Sequence, residues 1–274
     1  MSRDLPLKIG AALPVDRLAE FRGWLLADQR DLEIQTFHYP DMLDGDWRPL
    51  AEEARRQLDG FDGRLGMHGP FWSLPINAMD SEIRAVVTRR LLQGLDICQV
   101  LGATQMVVHS PYNPWDDLHR PLLEDPGAWF HAPVQKTLGP VVARAQDQGV
   151  ELVIENIQDV TADIRLDLVD SFGTAAVRAS IDTGHAHISH TTQGAPSVAE
   201  YVRAAGSRLA HVHLQDTDGL ADRHWPMGEG TIDWAAVFAA LAEVDATPRL
   251  IVELRDATGL PNCMRYLEGL GLGV

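Results

Sequence analysis

Eight short apolar runs rich in β-branched residues alternate with longer segments of helical spacing, and this alternation most constrains the fold. The predicted strands are LKIGAAL (7–13), DLEIQTF (31–37), RLGMHG (64–69), QMVVHS (105–110), ELVIENI (151–157), VRASID (177–182), LAHVHLQD (209–216) and RLIVEL (249–254). Helices are predicted over 15–29, 47–60, 81–102 (ending at Gly102) and 232–245 (with Asp233 in its first turn). Because parallel neighbours need a helix-length connection, the alternation predicts a parallel α/β sheet.

An open doubly wound sheet and a closed (β/α)8 barrel both satisfy this alternation. The doubly wound sheet is disfavoured because GAALPVDR, after the first strand, lacks a glycine-rich phosphate-binding turn. Eight units and 274 residues suit one barrel, which typically has about 250 residues. No low-complexity linker divides the chain, so we predict one TIM barrel domain over 1–274. The segments 41–47 and 110–127 are expected to be loops at its rim.

Ionisable side chains occur at the carboxyl ends of six successive predicted strands, where a parallel barrel carries its active site. They are His68, His109, Glu155 (followed by Asn156), Asp182 (followed by His185), His211 with His213, and Glu253. Such groups beside apolar runs are costly to desolvate unless they are paired or bind a metal. A recurrence on six strands favours a metal site over coincidental pairing.

Ordinary structural roles remain open for single members of this set. A lone strand-end histidine is more often hydrogen-bonded than metal-bound, and Glu155 or Glu253 could pair with Arg178 or Arg255. Histidines two residues apart share one face of a strand, so the first of the strand-seven pair is expected deeper than the second.

Mixed carboxylate and imidazole donors suit Mn²⁺, Zn²⁺, Co²⁺ or Fe²⁺ better than Mg²⁺. No cysteine lies near these positions, so an open catalytic site is expected rather than a closed structural zinc site. Asp222 and His224 in the segment 216–234 could add two further ligands. Alternatively, Asp222 could cap a turn in a loop whose glycines supply backbone freedom.

Charge and cysteine content narrow the partners and the compartment. The chain has 39 acidic and 23 basic residues, a formal charge of −16, which argues against broad electrostatic capture of nucleic acid. Two cysteines do not make a disulfide framework, so a reducing cytoplasm is expected. There is no signal-peptide pattern and no apolar run of roughly 18 residues, so no membrane association is expected.

Several motifs together resemble the superfamily of xylose isomerase-like barrels, which contains sugar isomerases and epimerases and also endonuclease IV. They are GMHGPF (66–71), MVVHSP (106–111), LVIEN (152–156), SIDTGH (180–185), HVHLQD (211–216), DRHWPMGEG (222–230) and LIVEL (250–254). Likeness to ketose epimerases implies four metal ligands, namely Glu155, Asp182, His213 and Glu253. Endonuclease IV holds three zinc ions, and its additional ligand positions match His68, His109, His185, Asp222 and His224.

Two substrates therefore compete, a small sugar or polyol and abasic DNA. A nuclease needs phosphate-binding residues around the rim, whereas the segments 41–47 and 110–127 are acidic. Trp72 could be a DNA wedge, but an aromatic wall for a sugar explains it at least as well. We therefore expect a sugar or polyol substrate and no nucleic acid.

The resemblance implies a metal-dependent isomerase or epimerase that works through a metal-stabilised enediolate. Glu155 and Glu253 would be both ligands and the acid/base pair, and His185 would contact a substrate oxygen. Ketose epimerases commonly carry an arginine soon after the strand-seven histidine. This chain runs LQDTDG there, and Arg223 is the nearest candidate for substrate binding.

Alternatives to this function are an endonuclease IV-like zinc phosphodiesterase, an inosose-type dehydratase, and a barrel that only binds a ligand. An intact pair of acids argues against the last. One metal ion is expected, while two or three ions and a homo-oligomer remain open.

Overall fold

The computed structural model describes residues 5–274 and shows eight strands that close into an all-parallel barrel in chain order. The strands are β1 (Gly10–Leu13), β2 (Leu32–Ile34), β3 (Leu65–His68), β4 (Gln105–His109), β5 (Glu151–Glu155), β6 (Val177–Asp182), β7 (Leu209–Leu214) and β8 (Arg249–Val252). Closure is made by β8, which pairs with β1 through Gly10↔Ile251 and Ala11↔Val252. The predicted (β/α)8 barrel is confirmed, with each strand inside its predicted run.

The connections between the strands are mostly helical. The helices are α1 (Leu18–Asp28), α2 (Pro40–Asp44), α3 (Arg48–Gln57), α4 (Ser81–Leu101), α5 (Pro114–His119), α6 (Pro126–Gln148), α7 (Asp163–Ser171), α8 (Thr183–Gln193), α9 (Val198–Ala205), α10 (Trp234–Glu243) and α11 (Leu260–Gly269). None of those helices, all within residues 5–274, combines the length and apolar character that crossing a bilayer needs. The main core lies between the helices and the barrel wall.

Capping residues explain where α4 begins and ends and where α10 begins. The Asp80 side chain accepts hydrogen bonds from the backbone N–H groups of Glu82 and Ile83 and starts α4. Gly102, with a φ of 77°, ends it in the left-handed conformation that glycine tolerates. Asp233 lies just before α10 rather than in its first turn, because its side chain caps the N–H of Ala236.

The two predicted rim loops both contain short helices. Pro40 occupies the start of α2, where its missing N–H costs nothing. Asn113 and Asp116 form a reciprocal capping box that starts α5. These elements follow β2 and β4 and lie on the carboxyl side of the barrel.

Candidate metal and active site

Side chains from the last four strands meet at the carboxyl end of the barrel. Glu155 ends β5, Asp182 ends β6, His213 lies near the end of β7, and Glu253 directly follows β8. These four, here called the inner group, each offer a donor atom within 4.8 Å of the others. The Nδ1 atom of His213 lies 2.8 Å from Glu155 Oε1 and 3.5 Å from Glu253 Oε2. All four side chains are buried, so three carboxylates surround one imidazole away from solvent.

A second cluster, here called the histidine-pair group, adjoins the inner group on the side of β3 and β4. It consists of His68, His109 and Glu155, whose donor atoms also lie within 4.8 Å of one another. The Nε2 atoms of the two histidines are 3.2 Å apart, and they lie 3.8 Å and 3.5 Å from Glu155 Oε2. Glu155 therefore belongs to both groups, with one oxygen facing each.

A third cluster, here called the outer group, lies on the side of α8 and the segment that follows β7. It consists of His185, Asp222 and His224. Asp222 Oδ1 lies 3.5 Å from His185 Nε2 and 3.0 Å from His224 Nε2. The Asp222 side chain thus points into a cluster of potential metal donors, and its role as a ligand remains a prediction.

The ion pairs that could have explained the two glutamates as structural are absent from the described residues 5–274. Arg178 pairs with Glu151, at 3.7 Å, and Arg255 pairs with Asp222, also at 3.7 Å. Glu155 and Glu253 form ion pairs with histidines alone within that range. The strand-end acids are therefore gathered at one point without an arginine to neutralise them.

The motifs and the barrel agree with a known family. The family model for xylose isomerase-like TIM barrels matches residues 26–271. The chain belongs to this family. A structure of the TTHB071 protein from Thermus thermophilus, soaked with ZnCl2, matches with a TM-score of 0.73 and 28% identity over 96% of this chain and 98% of that one.

Sugar epimerases are among the relatives of this xylose isomerase-like barrel. The D-psicose 3-epimerase of Enterocloster bolteae is 30% identical over 93 residues, which is 34% of this chain and 28% of that protein. A structure of a D-psicose 3-epimerase in the presence of D-fructose has a TM-score of 0.70 at 18% identity, covering 98% of this chain and 100% of that one. The latter likeness establishes the common fold.

Charge is unevenly divided among the clustered groups of the barrel. Burial alone would raise the pKa of Glu155, but the imidazoles of His213 and His109 outweigh it and hold that pKa well below its usual range. Burial and the neighbouring carboxylates raise the pKa of Asp182 to about 6. Burial lowers the pKa of His109 to about 3, which leaves that ring neutral with a lone pair available for a metal.

In the outer group, neighbouring carboxylates outweigh burial and raise the pKa values of the two histidines. Burial opposes the charge on His185, but the carboxylates of Asp182 and Asp222 outweigh it and raise its pKa to about 10. Burial is likewise outweighed at His224, where Asp222 and Glu253 raise the pKa to about 9. Both rings are therefore protonated at neutral pH and must lose a proton before they can bind a cation.

Two predicted substrate-binding residues lie outside the three groups. Trp72 is 49% exposed, and its ring lies 4.8 Å from that of Phe71, which stacks on His109 at 4.2 Å. The Arg223 side chain pairs with Asp218 at 2.9 Å. Their roles in binding remain predictions.

Three polar side chains that touch the groups were not predicted from the sequence. Glu33 on β2 lies 3.0 Å from His213 Nε2, and the Gln35 amide donates to both Glu33 and Glu253. The Gln215 amide donates to Asp182 and Asp222, at 3.1 Å and 3.0 Å. The position of Glu33, an acid in the middle of an apolar strand, could have indicated a functional role. The uncharged side chains of Gln35 and Gln215 gave no such indication.

The Asn156 side chain hydrogen-bonds to the backbone of Asp182. Its Oδ1 accepts from the Asp182 N–H at 2.9 Å, and its Nδ2 donates to the Asp182 carbonyl at 3.1 Å. Asn156 therefore ties β5 to β6 beside two candidate ligands.

Proposed function

We propose that this chain is a divalent-metal-dependent isomerase or epimerase that acts on a sugar or a sugar derivative. The observation that carries the proposal is the inner group, in which three buried carboxylates surround His213 without an arginine or lysine partner in residues 5–274. Buried charges are retained only where they are paired or coordinate a cation. The fold shared with D-psicose 3-epimerase supports the same class of chemistry.

The inner group fits a divalent cation. Glu155 Oε2 is buried and has no hydrogen-bond partner among the described residues 5–274, so a cation would satisfy an acceptor that is otherwise orphaned. Three carboxylates and one imidazole suit Mn²⁺, Zn²⁺ or Co²⁺. When bound by Glu155, Asp182, His213 and Glu253, such an ion would polarise a substrate carbonyl and stabilise the negative charge that develops as the neighbouring carbon loses a proton.

The proton itself is moved by Glu155 and Glu253. Imidazoles hold the pKa of Glu155 low, so its carboxylate is ionised and can accept a proton from the substrate. Glu253 accepts from the Gln35 amide through Oε1, while its Oε2 faces His213. One glutamate takes the proton and the other returns it. Return to the opposite face of the same carbon is epimerisation, and return to the neighbouring carbon is isomerisation.

Deuterium exchange tests this proposal directly. Purified protein with Mn²⁺ is incubated in D₂O with a panel of unphosphorylated and phosphorylated ketoses, and proton NMR follows the carbon beside the carbonyl. We expect loss of that proton signal together with formation of an epimer or isomer. A panel without exchange would contradict the proposal. Loss of water from a substrate would favour the dehydratase instead.

The histidine-pair and outer groups favour a second candidate, a phosphodiester hydrolase that uses several metal ions. The histidine-pair group adds two imidazoles and shares Glu155 with the inner group, and the outer group adds two imidazoles and one carboxylate. Elemental analysis after dialysis against zinc distinguishes the two, because one ion per chain favours the isomerase and two or three favour the hydrolase. Cleavage of a duplex with an abasic site would make the hydrolase the primary function.

A further inference from the structure

The second strand contributes no member of the inner group, yet two of its neighbouring side chains contact that group. Glu33 lies within β2 and is 2% exposed, and Gln35 follows the strand directly. A buried carboxylate in a barrel strand is costly unless its oxygens are satisfied. What satisfies Glu33 therefore indicates what it does.

Both oxygens of Glu33 face imidazole nitrogens. Oε1 lies 3.0 Å from His213 Nε2, and Oε2 lies 3.1 Å from His211 Nε2. An ionised carboxylate can only accept hydrogen bonds, so the His213 Nε2 atom that faces Glu33 carries a hydrogen. His213 Nδ1 faces the carboxylates of Glu155 and Glu253, so a cation held by those two acids would take the place of the Nδ1 hydrogen, while the Nε2 hydrogen would stay on the side of Glu33.

Neighbouring contacts hold this arrangement from both sides. The His211 Nδ1 atom lies 2.8 Å from the hydroxyl of Ser180, which fixes the second ring that Glu33 touches. The Gln35 amide donates to Glu33 Oε1 at 3.2 Å and also donates to Glu253. A single chain of contacts therefore runs from His211 through Glu33 to His213, and through Gln35 to Glu253.

We propose that Glu33 and Gln35 are positioning residues for a metal centre. Glu33 fixes the tautomer and orientation of His213, and Gln35 links Glu253 to the same support. The inference rests on the metal centre of the proposed function and adds residues that contact the ligands rather than the substrate. Carboxylates behind metal-binding histidines typically change metal affinity by about 10–100-fold when they are removed.

The test replaces Glu33 by glutamine, which keeps the size of the side chain but removes its charge and one of its two acceptor oxygens. The zinc affinity of the purified full chain is measured with Zn²⁺ alone, in competition with a chelator of known affinity. We expect E33Q to bind zinc about 10–100-fold more weakly than the wild type. The matched control is D31N, because Asp31 is a buried acid just before the same strand but pairs with Arg64. We expect D31N to bind zinc as the wild type does.

Nitrogen-15 NMR of the histidine rings supplies a measurement that a general loss of packing would not reproduce. In the zinc-loaded wild type we expect His213 to carry its hydrogen on Nε2 and to bind zinc through Nδ1. Coordination through Nε2 would overturn the inference without any variant. Wild-type zinc affinity in a folded E33Q would overturn it as well.

A second variant decides the outcome if E33Q does not fold. Gln35→Met keeps Glu33 and His213 but removes the amide that reaches Glu253, and we expect zinc affinity to fall by several-fold. Unchanged affinity would overturn the role of Gln35. None of these measurements uses a sugar, so a wild type that binds zinc but exchanges no substrate proton contradicts the proposed isomerase alone.

Discussion

The two ends of the barrel pair their acidic side chains with different partners. At the amino end, Asp31 accepts from Arg64 Nε at 2.7 Å. Glu151 accepts from the Gln105 amide at 2.7 Å and pairs with Arg178. At the carboxyl end, Glu33 and the three acids of the inner group contact imidazoles and side-chain amides, and Asp182 also accepts from the backbone N–H of His185, but none of them pairs with an arginine or lysine among residues 5–274. Acidic side chains therefore pair with arginines at the amino end and with histidines at the carboxyl end.

This difference separates acids that serve the fold from acids that are available for chemistry. An arginine beside a carboxylate keeps its charge at all accessible pH values, so the pair is inert. Imidazoles can give up protons and can share a carboxylate with a cation. The carboxylates at the carboxyl end are therefore available to bind a metal ion or to accept a proton.

The sharpest test of the comparison is the same substitution at the two ends of β5. Glu155→Gln removes a candidate ligand and a candidate base, and we expect the rate of epimerisation or isomerisation to fall by about 10³-fold or more. Glu151→Gln lies four residues earlier, at the amino end, and we expect it to retain wild-type turnover. The NMR exchange assay measures both.

Circular dichroism serves as the control for these two variants. We expect E155Q to keep the folded spectrum, because glutamine keeps the size of the side chain, although the variant loses the favourable interaction between the Glu155 charge and the imidazoles of His213 and His109. Retained turnover in E155Q would contradict its catalytic role. Equal losses in both variants would contradict the difference between the two ends.

Proton competition is the next largest effect and concerns the outer group. With pKa values raised to about 10 at His185 and about 9 at His224, both rings hold protons at neutral pH in the metal-free protein. A cation bound by the outer group must displace them, so the zinc affinity of that group should rise with pH up to about these values, by about tenfold per pH unit for each proton displaced. Chelator competition at several pH values between about 6 and 8 measures the slope.

His224→Gln is the matched control for the pH dependence. It removes one titrating ring but leaves His185 and the inner group in place. We expect the logarithm of zinc affinity to rise less steeply with pH in this variant, by about one proton. An affinity that does not change with pH in the wild type would show that the outer group takes no part in zinc binding.

The sequence was sufficient to predict the barrel and the clustering of the strand-end acids, for a physical reason. Parallel strands of a closed barrel point the same way, so a residue that ends one strand lies near the residues that end the others. Glu155, Asp182, His213 and Glu253 could therefore be expected together although nearly 100 residues separate the first from the last. Their proximity follows from topology.

The supporting side chains could not be predicted in the same way, because their roles depend on register and rotamer. Glu33 pairs in register with Ala12 and Gly66, two small neighbours that leave space inside the barrel for its side chain. Which imidazoles it then meets is decided by the relative height of β2 and β7. The amides of Gln35 and Gln215 carry no charge, so nothing in the sequence distinguishes them from solvent-facing polar residues.

The smallest effect should come from the aromatic edge of the carboxyl end, outside the charged groups. Trp72 contacts Phe71, which in turn stacks on His109, and we predict that its ring covers one side of a bound sugar. We expect Trp72→Ala to raise KM by about 3–10-fold with kcat unchanged, because an aromatic contact contributes about 0.5–1.5 kcal/mol and moves no proton. Trp129→Ala, at a 61% exposed tryptophan on α6, is the matched control and should change neither constant. A loss of kcat in W72A would mean that Trp72 also affects His109 and the charged groups. It would contradict the prediction that Trp72 contributes to substrate binding alone.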